Sequence, residues 1–240
     1  MGTVTAIQLR RVPTLELGLT LGDFLIPIRV GERAAIWQRN LLLIVGGALL
    51  ITLGAYVSFN VPAFAIGNLY VPANAYVPLT LQTFGVLFTG ALLGARRGIA
   101  AIGLYLLIGI LGFPVFAAGA DGVHASGLDT IATMDGGHLV LGATGGYLIG
   151  FLLAGALVGR LAELGWDRRL RGSIAAMVIG SAIIYAVGVT WLAMAANLGA
   201  GDALQYGLYP FLPGDILKLL VAAGLLPIGW RLVARRDHFL

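Results

Sequence analysis

Long apolar runs recur along the 240-residue chain and are separated by shorter segments that hold nearly all of its charges. An α-helix rises about 1.5 Å per residue and the hydrocarbon core of a bilayer is about 30 Å thick, so roughly 20 apolar residues form one crossing. The pattern therefore predicts a bundle of six transmembrane helices. The predicted spans are Asn40–Phe59, Val77–Ala95, Gly98–Phe113, Leu139–Gly159, Ser173–Asn197 and Asp215–Trp230.

Composition supports a membrane protein, because 59% of the residues are hydrophobic and 11% are charged, whereas soluble domains carry roughly 25% charged residues. We expect an all-α, multi-pass protein of the cytoplasmic membrane. Residues 40–232 are expected to form a six-helix transmembrane domain. Residues 1–39 are expected to be a cytoplasmic or interfacial extension and 233–240 a cytoplasmic tail. The first 39 residues show no signal-peptide cleavage pattern.

The basic residues predict the orientation of the helices. Arginines precede the first span, lie between the second and third spans and between the fourth and fifth, and follow the sixth. The segments Asn60–Tyr76, Pro114–His138 and Leu198–Gly214 contain no lysine or arginine. By the positive-inside rule, both termini are cytoplasmic and these three segments face outward. Membrane orientation thus accounts for the net charge of +4, and we expect no nucleic-acid partner.

Several kinds of chemistry are excluded or disfavoured by the residues. The chain has no cysteine, which excludes disulfides and thiolate sites. Lys218 is followed by leucine, so there is no Walker A loop for ATP. His124 and His138 share an outer segment with three aspartates, but their spacing matches no metal motif, so we expect no metal site. Those aspartates are Asp121, Asp129 and Asp135.

The only lysine, Lys218, lies in the sixth span three residues after Asp215. Charges are costly in hydrocarbon and persist there mainly where they face a polar cavity, a partner or a ligand. A spacing of three places both side chains on the same helix face. The two residues could therefore bind one polar molecule together. A structural ion pair that ties the sixth span to its neighbours is the alternative.

Two other spans carry polar candidates near the outer surface. Gln82 and Thr83 lie at the start of the second span, and Gln82 offers both a donor and an acceptor. The fourth span begins near Thr144, Gly145 and Gly146, where free backbone N–H groups can hold an acceptor. Small residues four apart in this span also predict close helix packing; they are Gly142, Gly146, Gly150 and Ala154.

Four sequence blocks resemble the BioY family, the biotin-specific substrate-capture subunits of energy-coupling-factor (ECF) transporters. They occur in the family's order and, with the sixth helix, cover residues 77–230. The blocks are VPLTLQTFGVLFTGALLGARRG (Val77–Gly98), GILGFPVF (Gly109–Phe116), GATGGYLIGF (Gly142–Phe151) and PFLPGDILK (Pro210–Lys218).

The resemblance implies a six-helix protein without enzymatic activity or cofactor that captures biotin near the outer surface. It also implies three partners, namely a transmembrane coupling protein and two cytoplasmic ATPases. In the family, the P-G-D-x-x-K block carries ligand contacts, which here fall on Asp215 and Lys218. The resemblance further places Thr144, Tyr147, Phe116 and Gly119 near the ligand. Asp215 could accept from the ureido N–H groups, while Lys218 could donate to the ureido carbonyl or to the carboxylate.

The chain departs from the family pattern in two places. The segment Ala120–His138 is longer and more acidic than the usual link, and the first span lacks a clear pattern of small residues for docking on the coupling protein. Three alternatives to biotin capture remain at this stage. They are capture of another vitamin (pantothenate, thiamine or riboflavin), a stand-alone secondary carrier with Asp215 and Lys218 as a proton-linked site, and an intramembrane enzyme.

Overall fold

The computed structural model of the chain describes residues 18–25, 33–59, 63–66, 69–71, 76–119 and 122–236. The helices are α1 (Gly22–Leu25), α2 (Arg33–Tyr56), α3 (Gln82–Ile110), α4 (Gly145–Glu163), α5 (Leu170–Ala195), α6 (Ala200–Gly207) and α7 (Leu212–Arg236). Short 3₁₀ helices cover Leu128–Thr130 and Trp166–Arg168. The described residues also form three antiparallel strand pairs: β1 (Ser58–Phe59) with β4 (Leu79–Thr80), β2 (Phe64–Ile66) with β3 (Leu69–Val71), and β5 (Ala132–Asp135) with β6 (His138–Leu141).

Five helices in the described part of the chain, α2, α3, α4, α5 and α7, are long and apolar enough to cross a membrane. Many of their large apolar side chains are exposed, as on α7, where Leu217 is 66% exposed. Such a surface suits hydrocarbon and not water. The prediction of a mostly helical, multi-pass membrane protein is confirmed.

Helix α3 folds back on itself at Gly94, whose φ of +83° is not helical. The amide of Gln82 donates to the hydroxyl of Tyr105, whereas 23 residues of straight helix would span about 35 Å. A methyl group on Gly98 would lie 3.1 Å from Cα of Gly90. The arms 82–93 and 95–110 are therefore packed antiparallel. They occupy the second and third predicted spans.

Glycines allow α4 to pack closely on both arms of α3 and on α5. An added Cβ on Gly159 would lie 2.5 Å from the backbone N of Ala95, and one on Gly150 would lie 3.1 Å from Cα of Ile184. Backbones this close require residues without side chains. The predicted packing role of small residues in this helix is confirmed for Gly146 and Gly150, which both face α5.

One end of the bundle, which we call the arginine end, is held by a polar cluster around Asp23. Arg97 forms two hydrogen bonds with its carboxylate, at 2.7 and 3.0 Å, and Arg39 lies 3.5 Å away. Burial alone would raise the pKa of Asp23, but the hydrogen bonds from Arg97 and Thr20 and the charge of Arg97 outweigh it and lower the pKa. The cluster ties α1 to α2 and to the turn of α3.

A second buried carboxylate at the arginine end, Asp167, connects the α4–α5 link to α7. Its Oδ2 accepts a 2.6 Å hydrogen bond from the indole of Trp230, while its buried Oδ1 has no hydrogen-bond partner. Burial raises the pKa of Asp167 to about 6, although the Trp230 bond and the charge of Arg168 act against the rise. The part of α7 near the arginine end is thus held to the α4–α5 link by a carboxylate that uses only one of its two oxygens in a hydrogen bond.

The expectation of an all-α protein is wrong in the segments that connect the spans. Leu139–Leu141 belongs to strand β6 and not to the fourth span, which begins at Gly145 as helix α4. The second span likewise begins with strand β4, and its helix starts at Gln82. Hydropathy alone cannot separate a short apolar strand from the first turn of an apolar helix.

Other boundaries move by a few residues, because polar end residues continue a helix beyond its apolar run. Helix α2 begins at Arg33, within the predicted N-terminal extension, and α7 runs from Leu212 to Arg236. Some predictions fall outside the described residues. They concern positions 1–17 and 26–32, parts of Asn60–Tyr76, Asp121 and the tail 237–240.

Candidate ligand cavity

Asp215 and Lys218 lie in the first two turns of α7, at the end of the bundle opposite the arginine end, which we call the cavity end. Lys218 Nζ lies 2.7 Å from Asp215 Oδ1. The residues are 8% and 7% exposed, respectively. Their spacing of three places them on one face, and that face lines a cavity. The charges are therefore paired with each other and still border an open space.

Asp215 also has partners on two other helices. The hydroxyl of Tyr185 on α5 donates to Asp215 Oδ2, and that of Thr83 on α3 donates to Oδ1 at 3.5 Å. Both carboxylate oxygens are thus engaged, and the acid is fixed relative to three helices. Tyr185 is a site residue that the sequence analysis missed. The available signal was a phenolic hydroxyl in the middle of an apolar span, which needs a polar partner.

The cavity holds about 560 Å³ of empty space when its opening is included. Seven of the ten predicted site residues line it. They are Gln82, Thr83, Phe116, Thr144, Tyr147, Asp215 and Lys218. The remaining lining residues are Val77, Pro78, Leu79, Thr80, Ala117, Leu148, Phe151, Tyr185 and Phe211.

The other three predicted residues lie behind the cavity wall or beside it. Gly145 and Gly146 face Trp191 of α5, and a Cβ on Gly146 would lie 2.1 Å from the Trp191 Cβ. The backbone N–H of Gly119 donates to the carbonyl of Val123 at 2.9 Å in the loop after α3. In the structure, these glycines serve close packing and a turn, and none of the three lines the cavity.

Aromatic rings form much of the cavity wall. The ring of Tyr185 lies 6.4 Å from those of Tyr147 and Phe211. Phe116 packs edge-on against Tyr105, at 5.5 Å between ring centres, and its carbonyl oxygen is 2.8 Å from Nδ1 of His124. The loop that carries Phe116 is thereby held against the helices. These rings offer an apolar enclosure beside the charged pair.

Of the lining residues that the structure describes, only Asp215 and Lys218 are charged, and their formal charges sum to zero. A neutral ligand with both donors and acceptors suits such a site better than a second anion. Among the described residues, no three His, Asp or Glu side chains lie close enough together to hold a metal ion. The arrangement can therefore bind a polar, uncharged group by charge-assisted hydrogen bonds.

Tyr185 and Asp215 also border a second space, an apolar groove between α5 and α7 of about 1,120 Å³ including open volume. The groove opens on the side of the bundle that faces the membrane, beside Val178 and Ile216, which are 49% and 59% exposed. The ring of Tyr185 consequently forms part of the partition between this groove and the cavity.

Comparison with known proteins identifies the family that the sequence blocks resemble. Residues 30–235 match the BioY family. The protein named biotin transporter BioY from Rhizobium etli is 35% identical over 179 residues, which cover 73% of this chain and 84% of that protein. The protein of the same name from Thermotoga maritima is 37% identical over 150 residues, 61% of this chain and 77% of that protein.

A solved structure supports the assignment of the fold. The crystal structure of the S-component for biotin from an ECF-type ABC transporter matches with a TM-score of 0.64 and 23% identity, covering 82% of this chain and 93% of that chain. The relatives are named as transporters and not as enzymes, in agreement with the sequence prediction. The matched region includes all five candidate spans and the cavity, and the chain belongs to the BioY family.

Proposed function

We propose that this protein captures biotin in the cavity and serves its uptake across the cytoplasmic membrane. The observation that carries the proposal is the neutral, desolvated pair of Asp215 and Lys218 beside aromatic walls. Membership of the BioY family supports biotin as the ligand, since the relatives from Rhizobium etli and Thermotoga maritima are named biotin transporters.

The proposed orientation of biotin follows from charge. Its ureido group is neutral and offers two N–H donors and one carbonyl, which match the carboxylate of Asp215 and the ammonium of Lys218. The valerate carboxylate would add a second buried anion beside Asp215, which is unfavourable in a low-dielectric site. We therefore place the ureido ring against the pair and the carboxylate at the mouth. Tyr147, Phe151 and Phe211 then enclose the apolar ring.

We further propose six crossings, with the cavity end outside the cell. The two arms of α3 are about 18 and 24 Å long at about 1.5 Å per residue. Each could cross a locally thin bilayer, which brings the five long helices to six crossings. Arg39, Arg97 and Arg160 lie at the opposite end of the bundle, as expected for the cytoplasmic side. Both termini are then cytoplasmic.

Energy for uptake is proposed to come from a transmembrane coupling protein and two cytoplasmic ATPases. The chain carries no Walker A sequence, and the matched crystal structure is a component of an ECF-type ABC transporter. A stand-alone carrier is the second candidate, because the Tyr185–Asp215–Lys218 hydrogen bonds could carry a proton-linked change. Uptake by cells that express the chain alone, driven by the proton gradient, would favour the carrier.

Calorimetric titration of the detergent-purified chain with a vitamin panel tests the proposed ligand. We expect saturable binding of biotin at one site per chain and no comparable heat from pantothenate, thiamine or riboflavin. Biotin analogues test the orientation: amidation of the tail carboxylate should leave affinity nearly unchanged, whereas methylation of a ureido nitrogen should abolish binding. Saturable binding of another vitamin without biotin binding would refute the proposed ligand.

A further inference from the structure

The hairpin formed by β5 and β6 projects from the cavity end and is not explained by ligand capture. Gly136 and Gly137 form its two-residue turn with φ of +56° and +84°, the values that a type I′ hairpin turn requires. The register pairs Ala132 with Leu141, Thr133 with Val140, Met134 with Leu139, and Asp135 with His138.

The two faces of this hairpin differ in polarity. Directly paired residues lie on the same face of a strand pair, and successive residues alternate between faces. One face therefore carries Ala132, Leu141, Met134 and Leu139, which we call the apolar face. The opposite face carries Thr133, Val140, Asp135 and His138. Met134 and Leu139, at the tip of the apolar face, are 67% and 65% exposed.

The base of the hairpin is fixed to the ends of two membrane-spanning helices. The backbone N–H of Gly142 donates to the carbonyl of Ile131 at 2.9 Å, and the indole N–H of Trp191 donates to the carbonyl of Gly142 at 2.9 Å. Trp191 lies in the last turns of α5, and α4 begins at Gly145. The hairpin thus leaves the bundle at the level where these spans end. Tryptophan is enriched at the membrane–water interface, so Trp191 indicates that this level is the interface.

No hairpin residue lines the ligand cavity among the described residues, so the apolar face does not form the wall of the site. Half-buried Ala132 and Leu141 at the base join this face to the bundle, where β6 contacts α5. The apolar medium beside the end of α5 is the lipid around the spans, while Asp135 and His138 favour water.

We propose that the β5–β6 hairpin lies on the membrane surface, with Met134 and Leu139 inserted at the boundary between lipid headgroups and acyl chains. An amphipathic element binds a lipid surface in this way, with its apolar face in the boundary and its polar face in water. The hairpin then anchors the start of α4, and with it Thr144 at the cavity, to the bilayer.

The absence of native cysteine permits a direct test with single-cysteine variants. Leu139→Cys and Val140→Cys place the same thiol on adjacent residues of opposite faces. Each full-length variant is labelled with an environment-sensitive fluorophore and reconstituted in phosphatidylcholine–phosphatidylglycerol vesicles. Quenching is then measured with spin-labelled lipids and, separately, with aqueous iodide. Met134→Cys, opposite Leu139 on the apolar face, repeats the measurement if Leu139→Cys fails to fold.

We expect the label at Leu139 to be quenched several-fold more by spin-labelled lipid than the label at Val140, and less by iodide. Equal iodide quenching at both positions would overturn the proposal, because the hairpin would then stand in water. A Leu139 label shielded from both quenchers would also overturn it, because the apolar face would then be covered by protein.

Discussion

The hydroxyl of Tyr185 on α5 donates a hydrogen bond to Oδ2 of Asp215 on α7, while Lys218 occupies Oδ1. Together with Thr83 of α3, these groups orient the carboxylate from three helices, and the ammonium beside it remains on the cavity wall. A ligand that enters the cavity meets an acceptor and a donor in fixed positions. Little ordering of these side chains is then needed on binding.

Loss of either charge of the α7 pair should abolish biotin binding. Lys218→Ala leaves Asp215 without its counter-ion, and Asp215→Asn replaces the anionic acceptor. Each charge-assisted hydrogen bond contributes about 1.5–3 kcal/mol. Calorimetry measures affinity, and size-exclusion chromatography and thermal unfolding verify the fold. Leu217→Ala, an exposed neighbour on the same helix, should bind as the native chain does. Native affinity in both charge variants would show that the site is elsewhere.

Tyr185→Phe should weaken biotin binding about tenfold, corresponding to the loss of one hydrogen bond to a charged group, about 1.5 kcal/mol. Phenylalanine keeps the ring that separates the cavity from the membrane-facing groove, so the change isolates the hydroxyl. Tyr206→Phe is the control, because Tyr206 packs against Tyr76 outside the cavity lining. Equal affinities of the native chain and Tyr185→Phe would exclude a positioning role for the hydroxyl.

Gly94→Ala should destabilise the protein by about 1–3 kcal/mol, the usual cost of a side chain in a backbone region open mainly to glycine. Its φ is +83°, and the new Cβ would lie 2.8 Å from Glu163 Oε1. Gly103→Ala is the matched control in the second arm of α3, where no atom lies within 4 Å. It should be neutral or stabilise by up to about 1 kcal/mol. Thermal unfolding in detergent measures both, and equal melting temperatures would contradict the proposed turn.

Stability should fall as pH rises from about 4 to about 6 because of Asp167. The pKa of its buried carboxyl is about 6, above the ordinary value of 3.8, so the unfolded chain ionises first. Below this window both states are protonated. Above it, the free energy of unfolding is lower by about 3 kcal/mol.

Asp167→Asn keeps an acceptor for Trp230 and should remove this pH dependence. Asp202→Asn, at an exposed acid, should retain it. Melting temperatures at pH 4, 5, 6 and 7 provide the measurement. An unchanged profile in Asp167→Asn would assign the dependence to another group.

Much of the fold could be predicted, because hydrocarbon requires long apolar helices whose backbone groups are satisfied internally. The reversal of α3 at Gly94 agrees with the sequence, in which Arg96 and Arg97 separate the second predicted span from the third. The strands β4 and β6 could not be predicted, because their few apolar residues continue directly into an apolar helix. Their pairing depends on partners elsewhere in the chain, Ser58–Phe59 and Ala132–Asp135.

The part of the candidate site that could be predicted is the set of residues that are unusual in a membrane span. Asp215 and Lys218 are identified by the cost of charge in a membrane span, and the BioY motifs added Tyr147 and Phe116. Tyr185 was missed because an aromatic residue in a span usually indicates packing. Its role depends on the contact between α5 and α7, which no local pattern encodes. Gly145 and Gly146 were proposed as ligand contacts, but the structure places them against Trp191.

The most direct test is a structure of the protein in complex with biotin. We predict that the ureido ring lies within hydrogen-bonding distance of Asp215 and Lys218, between the rings of Tyr147 and Phe211, with the carboxylate at the mouth of the cavity. Biotin bound elsewhere, with Asp215 and Lys218 still paired only with each other and with Tyr185, would contradict the account.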